Sequence, residues 1–407
     1  MRIAIVSDFF LDYVGGAQTS VFEQKASLEE QGHTVYLVSA VSKTRGHIEG
    51  LDLAIPSTFT VPGLLLPVVR NRPRLVTQLA EFFYAEGIQV VHPQTEFGLA
   101  HAAVTAARQL GLPVVHTVHT FYWTSTGIAP TLAAPVVRAF LQNVTAAKFG
   151  RHDYGTGRPS DDTLRNLTLC LAQRADVVVS PSAHQGADLT AAGLETPVEI
   201  VPNPIARSPR QASLVTEELA ASPRIVWVAR CEPEKRPLVF AQAAIDALER
   251  TGGSFDVDFV GDGSELEAVR ELTAGHPQFH VHGNLGHDAV IDLMDAAAVV
   301  ALTSHGFDNQ PMTIAEAVSR YRGVLFCDPK LREGLGDSGW LSLTPDAAGL
   351  ADAIVELVSS PTALRALSIG AKSDSAVFSA STFVERIMAA YAHASAVLAT
   401  ESAASSD

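Results

Sequence analysis

Two groups of residues in the second half of the chain have the types and spacing to hold a phosphorylated ligand. The first is Arg230 and Lys235 in R-C-E-P-E-K-R-P, directly after the apolar run 225–229 and before helical spacing at 238–250. Cations at the carboxyl end of a strand, beside a helix N-terminus, are placed to neutralise a diphosphate: a guanidinium fork and an ammonium point charge both match its oxygens. Glu232 and Glu234 leave a charge-mixed turn as the alternative. The second group lies in S-H-G-F-D-N-Q-P-M-T-I-A-E-A-V-S, residues 304–319, after the buried-strand run 297–302. There Gly306, Asp308, Asn309, Gln310 and Pro311 precede a helix-like segment, and Glu316 stands eight residues after Asp308. A strand that opens into a polar loop and then a helix start is where α/β proteins bind phosphorylated ligands. Pro311 suits a first helical turn, where its missing N–H costs nothing. A plain turn before a surface helix with a solvated Glu316 is the competing reading.

The first half carries weaker chemistry. His119 follows the strand-like run 114–118 and precedes Phe121, Tyr122 and Trp123. It stands at the functional edge of a sheet, with a hydrogen-bonded loop imidazole as the alternative. The three aromatics cannot all face inward on a strand or a helix. The run 2–7 leads to a loop that closes with Gly15-Gly16, where backbone can approach a ligand closely. No G-x-G-x-x-G is present, so a nicotinamide enzyme is not expected. Asp256-Val257-Asp258 falls inside a predicted strand and reads as structural rather than as a metal site.

The elements that must position these residues alternate strand and helix, and the pattern restarts after a polar stretch at 206–222. That restart predicts two α/β domains. The boundaries read as 1–205 and 206–376, then a terminal helix at 377–398 and a disordered tail at 399–407. Residues 151–162, polar and Gly-rich, read as a mobile loop. Residues 59–67 are apolar and turn-rich, with Arg70, Arg72 and Arg74 just beyond. Such a patch can touch a membrane surface, or it can pack under the domain with its arginines solvated.

Composition narrows the partners. A net charge of −15 and the lack of any Lys/Arg-rich run exclude nucleic acid. The three cysteines lack metal-ligand spacing and point to a reducing compartment. No run approaches the ~18 apolar residues of a membrane span, and M-R-I-A-I-V-S reads as a first strand, so a cytoplasmic protein is expected.

The order of these elements and loops resembles the retaining GT-B glycosyltransferases of family four (group 1 glycosyltransferases) over nearly the whole chain. The lipid-glycosylating bacterial branch is most similar. The motifs that carry the resemblance are Gly15-Gly16, A-D-V-V-V-S-P-S, V-P-N at 201–203, V-A-R-C-E-P-E-K, V-G-D-G-S-E, H-G-N-L and D-N-Q-P-M-T-I-A-E. Each is weak singly; in this order they are specific. The resemblance implies two Rossmann-like α/β/α domains facing each other across a cleft, acceptor-side first and nucleotide-sugar-binding second, with the terminal helix returning to the first. It implies that Glu316 holds the ribose and that Arg230 and Lys235 hold the diphosphate, helped by backbone N–H groups near Pro311, Met312 and Thr313 at the helix N-terminus. Gly283, Asn284 and Leu285 would flank the base, and Gly15, Gly16, Asn309 and Gln310 would complete the donor site. Asp308 and His119 would face the sugar, and Phe121 and Tyr122 the acceptor.

The implied reaction moves a hexose from a UDP- or GDP-linked donor with retention, the leaving diphosphate taking the acceptor proton, so no carboxylate dyad is needed. No metal and no further cofactor are implied. The acceptor implied is a lipid of diacylglycerol or phosphatidylinositol type, with peripheral contact at the inner face of the membrane. A soluble small-molecule acceptor, a nucleotide-sugar epimerase or hydrolase, and a non-catalytic nucleotide-sugar binder are the alternatives. Three departures stand out: Asp308 replaces the usual Glu, V-P-N-P-I-A lacks the acid expected after Asn203, and Tyr321-Arg322-Gly323 replaces a glycine-containing G-x-P-V-V. The last is expected to alter the sugar pocket.

Overall fold

The computed structural model describes residues 1–11, 16–42, 50–61, 66–121, 134–205 and 210–404. The chain divides into two compact units, Met1–Ala206 with Ala380–Asp407, and Arg207–Ser379.

In chain order the first unit contains β1 (Arg2–Ser7), α1 (Gly16–Glu30), β2 (Thr34–Val41), β3 (Leu53–Pro56), β4 (Phe59–Val61) and β5 (Leu66–Val68). Then come α2 (Pro73–Ala85), β6 (Val90–Pro93), α3 (Gly98–Gln109), β7 (Val115–Thr117), α4 (Ala134–Thr145) and α5 (Pro159–Ala172). It continues with β8 (Val177–Ser180), α6 (Ala183–Ala191) and β9 (Val198–Ile200). Strands run parallel in the order β3-β2-β1-β6 and β7-β8-β9, and a parallel bridge between Val91 and Val114 joins the two groups. Alternate side chains of β1 serve two cores. Ala4 and Val6 pack with Leu79, Phe83 and Leu99 of α2 and α3, while Ile3 and Ile5 pack with Val21 and Leu28 of α1. Both faces are thus covered, which is why these strands are apolar throughout rather than alternating.

The second unit contains α7 (Glu217–Ala221), β10 (Arg224–Val228), α8 (Pro237–Thr251), β11 (Asp256–Val260), α9 (Leu266–Thr273), β12 (Phe279–Gly283) and α10 (His287–Ala296). It goes on through β13 (Val299–Leu302), α11 (Met312–Ser319), β14 (Gly323–Phe326), β15 (Gly339–Leu341), α12 (Ala347–Val358) and α13 (Pro361–Asp374). Its six strands are all parallel, in the order β12-β11-β10-β13-β14-β15. The order reverses between β10 and β13, and ligands of open α/β sheets bind outside the carboxyl ends of the strands at such a reversal. The loops after β10 and β13 are those with the arginine–lysine pair and the 304–319 stretch.

Several expectations change. The terminal helix α14 (Ala380–Ala404) starts after a 3-10 turn at Ser375–Phe378 and continues to Ala404, so residues 399–404 extend the helix instead of forming a tail. Its Phe383, Ile387 and Tyr391 join the core of the first unit beside Ile3 and Ile5. The apolar stretch at 59–67 contains the antiparallel pair β4–β5. Residues 151–158 are tied to α5: Asn166 and His152 exchange two hydrogen bonds, and Asp162 accepts from the Tyr154 N–H and the Thr156 hydroxyl. The Tyr321-Arg322-Gly323 departure has a structural part in this unit. Tyr321 takes a left-handed conformation, and the buried Arg322 guanidinium donates to the carbonyls of Ser213, Met294 and Asp295. With Arg320, which bonds the Arg210 and Gln211 carbonyls, it ties residues 210–213 to this unit.

In the first unit, Asp8 closes the N-terminus of α3. Its fully buried carboxylate accepts from the N–H groups of Phe97, Leu99 and Ala100 at 3.2, 2.7 and 3.1 Å and from the Thr95 hydroxyl at 2.8 Å. Burial pushes its pKa up to about 6, still below neutrality, so it meets the positive end of the helix as an anion. Asp8→Asn turns one of the two accepting oxygens into a donor that faces donors. The substitution is expected to cost about 2 kcal/mol, read as a lower midpoint of urea or thermal unfolding; an unchanged midpoint contradicts this cap.

Candidate active site

At the strand reversal of the second unit, three loops are sewn together by backbone bonds. The N–H of Ala229 donates to Val260 O, that of Cys231 to Asp262 O, and that of Gly261 to Gly283 O. The approach is so close that a Cβ on Gly261, at φ +141°, would stand 1.7 Å from the Ala229 carbonyl oxygen. Only glycine fits, which gives V-G-D-G a structural reason independent of any ligand. Glu232 extends the stitching by accepting from the Ser264 N–H and hydroxyl at 3.2 and 2.6 Å. It thus fastens the cationic loop and does not neutralise it.

The two cations differ in environment. Arg230, 55% exposed, donates to Glu234 Oε1 at 2.6 Å across one helical-type turn. Lys235 ends a 3-10 turn, and its Nζ lies 2.6 Å from both oxygens of Asp308. The side chains of that pair are only 16% and 11% exposed, so water screens it little and it outweighs the Arg230 pair. Nζ also sits 5.5 Å from the centroid of the Phe307 ring. Asp308, expected at the sugar, is therefore drawn onto Lys235. The core fixes Lys235 from behind: the stacked Trp227 donates its indole N–H to Thr303 Oγ1, whose hydroxyl donates to the Lys235 carbonyl.

Helix α11 completes this edge. Pro311 is its N-cap residue, one position before the first helical turn. Thr313 is fixed to β10 by donating to the Val228 carbonyl, which brings the amides at Met312 and Thr313 beside the Arg230 loop. These first N–H groups have no partner within the helix and can serve an anion. Asn309 and Gln310 are buried. Glu316, half-buried one turn further on, is 3.8 Å from His287 Nδ1 at the start of α10. Gly283 closes β12 at φ +71°, with the exposed Asn284 and the half-buried Leu285 after it. Thus Arg230, Lys235, Asp308, Glu316 and Gly283–Leu285 all stand on one edge of one sheet. The Asp256–Asp258 pair does not: Asp256 opens β11 and Asp258 stands mid-strand, where Arg224 and His282 hold it.

The first unit has its own strand reversal, between β1 and β6, and a buried polar chain there. His119 Nε2 lies 2.6 Å from Gln94 Oε1. Gln94 Nε2 is 3.0 Å from Gln24 Oε1 and 3.1 Å from His92 Nε2. Asn203 of the V-P-N motif accepts from Ser20 at 2.6 Å and from Gln24 at 3.3 Å. Burial, and next the nearby His116, lower the His119 pKa to about 3, so the ring is neutral at physiological pH. Gln24, Gln94 and Tyr391 have no motif to mark them, and only the fold brings them together. Phe121, expected toward the acceptor, instead turns into the core, edge-on to Tyr154 at 5.8 Å and under the Arg165 guanidinium. Gly16 opens α1 and is exposed; Gly15 and Tyr122 lie outside the described residues.

Comparison with known proteins agrees with this geometry. Residues 14–208 match Glycosyltransferase Family 4, and residues 222–360 match Glycosyl transferases group 1. The alpha-monoglucosyldiacylglycerol synthase of Streptococcus pneumoniae is 32% identical over 35% of this chain and 34% of its own length. A human phosphatidylinositol N-acetylglucosaminyltransferase polypeptide is 30% identical over 30% of this chain and 26% of its own length. The chain thus spans about a third or less of the length of these relatives. Among solved structures, Anabaena HepE in complex with UDP superposes with a TM-score of 0.66 at 17% identity, over 95% of this chain and 98% of that one. Sucrose-phosphate synthase from Thermosynechococcus elongatus gives 0.64 at 15% identity, over 96% and 98%. At such identities the likeness establishes the fold, which is GT-B.

Because Asp308 holds Lys235 through both oxygens, a diphosphate that used Lys235 would have to displace it. Asp308→Asn removes the competing charge and is expected to tighten binding of UDP or GDP by about tenfold, measured by calorimetry. Unchanged or weaker binding would show that the ion pair does not oppose the ligand.

Proposed function

The chain belongs to the GT-B glycosyltransferases of family 4 and group 1, and on that premise we propose that it transfers a hexose from a nucleoside-diphosphate donor to an acceptor hydroxyl, with retention at the anomeric carbon. The observation that carries the proposal is the convergence of Arg230, Lys235 and the N-terminus of α11 at the strand reversal of the second unit. Two cations and a row of helix-terminal amides suit a diphosphate, with Glu316 one turn along the helix for ribose hydroxyls.

In this reading the bond from the anomeric carbon to the diphosphate breaks, and the acceptor oxygen bonds to that carbon on the same face. The acceptor proton passes to the departing phosphate oxygen. Charge grows on the diphosphate as the bond lengthens, and the side chains of Arg230 and Lys235 stabilise it electrostatically. Asp308 exchanges its hold on Lys235 for the sugar when the phosphates arrive. Asn309 and Gln310 line the donor side. No metal enters this scheme, since the two cations carry the charge.

A lipid acceptor is the favoured class. Support comes from the lipid-directed enzymes named above and from the surface beyond β4–β5. There Phe59 is 41% exposed, and Arg72 and Arg74 are exposed at the start of α2. Among the described residues no single helix is long and apolar enough to cross a membrane, so contact would be peripheral.

Incubation with UDP- and GDP-hexoses and vesicles containing diacylglycerol or phosphatidylinositol is expected to yield a glycolipid with the anomeric configuration of the donor. Lys235→Ala is expected to lower turnover by about 10²–10³-fold without loss of folded protein. An inverted product would contradict the front-face scheme, and full activity in Lys235→Ala would contradict the diphosphate assignment. In flotation with anionic vesicles, the wild type is expected to rise with the lipid and an Arg72→Glu/Arg74→Glu protein to remain below; equal flotation of both removes these arginines from the membrane contact.

A further inference from the structure

We propose that Arg236 is a positioning residue for the donor site: its guanidinium holds its own backbone in a left-handed turn, and that turn aims the ammonium of Lys235. The proposal rests on the reading of Lys235 as a ligand of the diphosphate. Arg236 is the third cation of R-C-E-P-E-K-R-P, and the transfer scheme leaves it without a part. Its φ of +57° and ψ of +46° lie in the left-handed region. Three non-glycine residues among those described have positive φ, Ala146, Arg236 and Tyr321, and Arg236 is the one beside Lys235. An L-residue enters this region at a cost in free energy and stays there where its surroundings over-determine it. Pro237 follows, and a proline disfavours the right-handed helical region for the residue before it. Extended backbone is therefore the relaxed alternative at 236.

The side chain supplies the restraint. Nη2 donates to the Pro345 carbonyl at 2.6 Å, and Nη1 lies 3.4 Å from the Thr303 carbonyl and 3.5 Å from Cys327 Sγ. Thr303 directly follows β13, Cys327 directly follows β14, and Pro345 precedes α12. One planar fork thus spans three segments, a reach that glycine or asparagine, the usual residues of a left-handed turn, does not have. The terminal nitrogens are occupied by protein acceptors, so Arg236 acts on a ligand through the backbone it fixes.

The backbone bonds show what the turn controls. Lys235 ends the 3-10 turn Pro233–Lys235 and α8 begins at Pro237, so Arg236 alone joins the two. Its N–H donates to the Pro233 carbonyl at 3.1 Å, and its carbonyl accepts from the Phe240 N–H at 3.2 Å. Helix α8 is fixed by Phe240, Ala241 and Ala244 in the core. Upstream, Cys231 and Glu232 are bonded to Asp262 and Ser264. Relaxation at 236 therefore moves what lies between these anchors, the short turn that ends in Lys235. As it stands, that turn brings Nζ to 2.6 Å from both oxygens of Asp308. Thr303 meets both residues, its hydroxyl donating to the Lys235 carbonyl at 2.8 Å and its carbonyl facing Arg236.

The test uses the full chain with Arg236→Ala, Arg236→Lys and Arg236→Gly, and Arg236→Ala also combined with Lys235→Ala. Two quantities are measured: the ratio of affinities for a nucleoside diphosphate (UDP or GDP) and its monophosphate, and the ¹H–¹⁵N signal of the Lys235 ammonium, assigned by its loss in Lys235→Ala. Glycine takes the left-handed turn without strain, whereas alanine and lysine keep the strain and lose the fork. The ratio is expected to fall about tenfold in Arg236→Ala and to stay close to the wild-type value in Arg236→Gly. Arg236→Lys is expected to fall below Arg236→Gly, the opposite of the order that a role for the charge alone would give, and it decides the case if Arg236→Ala does not fold. In the Lys235→Ala background, Arg236→Ala is expected to leave the ratio unchanged, because the residue acts through Lys235. A merely structural role would weaken binding of both nucleotides alike and would do so in either background. An unchanged ratio in Arg236→Ala overturns the proposal, as does an equal loss in Arg236→Gly or a ratio in Arg236→Lys at or above that of Arg236→Gly. If the wild type does not prefer the diphosphate, the reading of Lys235 as its ligand fails, while the ammonium signal still decides what Arg236 does. A signal kept in Arg236→Gly and broadened by faster exchange in Arg236→Ala and Arg236→Lys supports the aiming of Lys235; identical signals in all of them overturn it.

Discussion

Two cations at the carboxyl end of a parallel sheet need anions, and this chain supplies them from its own loops. Arg230 leans on Glu234 in water, while Lys235 is gripped by Asp308 largely out of it. The second arrangement constrains more. A partly buried ammonium without a partner would be costly, so the loops after β10 and β13 must stay in register for the pair to form. The tight glycines at 261 and 263, the Trp227–Thr303–Lys235 bonds and the Thr313–Val228 bond hold that register. The same register carries the amides of α11 and Glu316 to the strand edge where the proposed donor would bind.

The first unit solves the opposite problem. At its strand reversal it gathers imidazoles and amides and keeps them uncharged. The buried Asp8 is committed to capping α3 and the buried Glu96 accepts from the Thr168 hydroxyl, while His92, His116 and His119 are all held neutral by burial. One reversal therefore concentrates charge for a charged ligand, whereas the other provides fixed, neutral hydrogen-bonding groups. That division suits a reaction in which the leaving group is anionic and the transferred group is a polyol.

The strand–helix alternation was legible because each central strand is buried on both faces and reads as an unbroken apolar run. Residues that act through their immediate neighbours were legible too: Arg230, Lys235 and Glu316 sit beside strand ends or helix starts that the local sequence marks. Helix α13 escapes that reading although Ser360 and Pro361 announce it, the Ser360 hydroxyl accepting from the Ala363 N–H. Contacts between distant segments are a different matter. No local pattern tells that Asp308 reaches Lys235 across 73 residues, that Gln94 meets His119 across 25, or that Tyr391 closes on His92 across 299. Phe121 failed for the same reason, since the partner it packs on, Tyr154, comes from a distant segment.

The central claim is that Lys235 recognises the second phosphate of a nucleotide. The most direct measurement compares the affinities of a nucleoside diphosphate and its monophosphate, for the wild type and for Lys235→Ala, under one salt condition. The diphosphate should bind more tightly to the wild type, and that preference should largely vanish in the variant. A preference that survives in Lys235→Ala would place the second phosphate elsewhere and contradict the account.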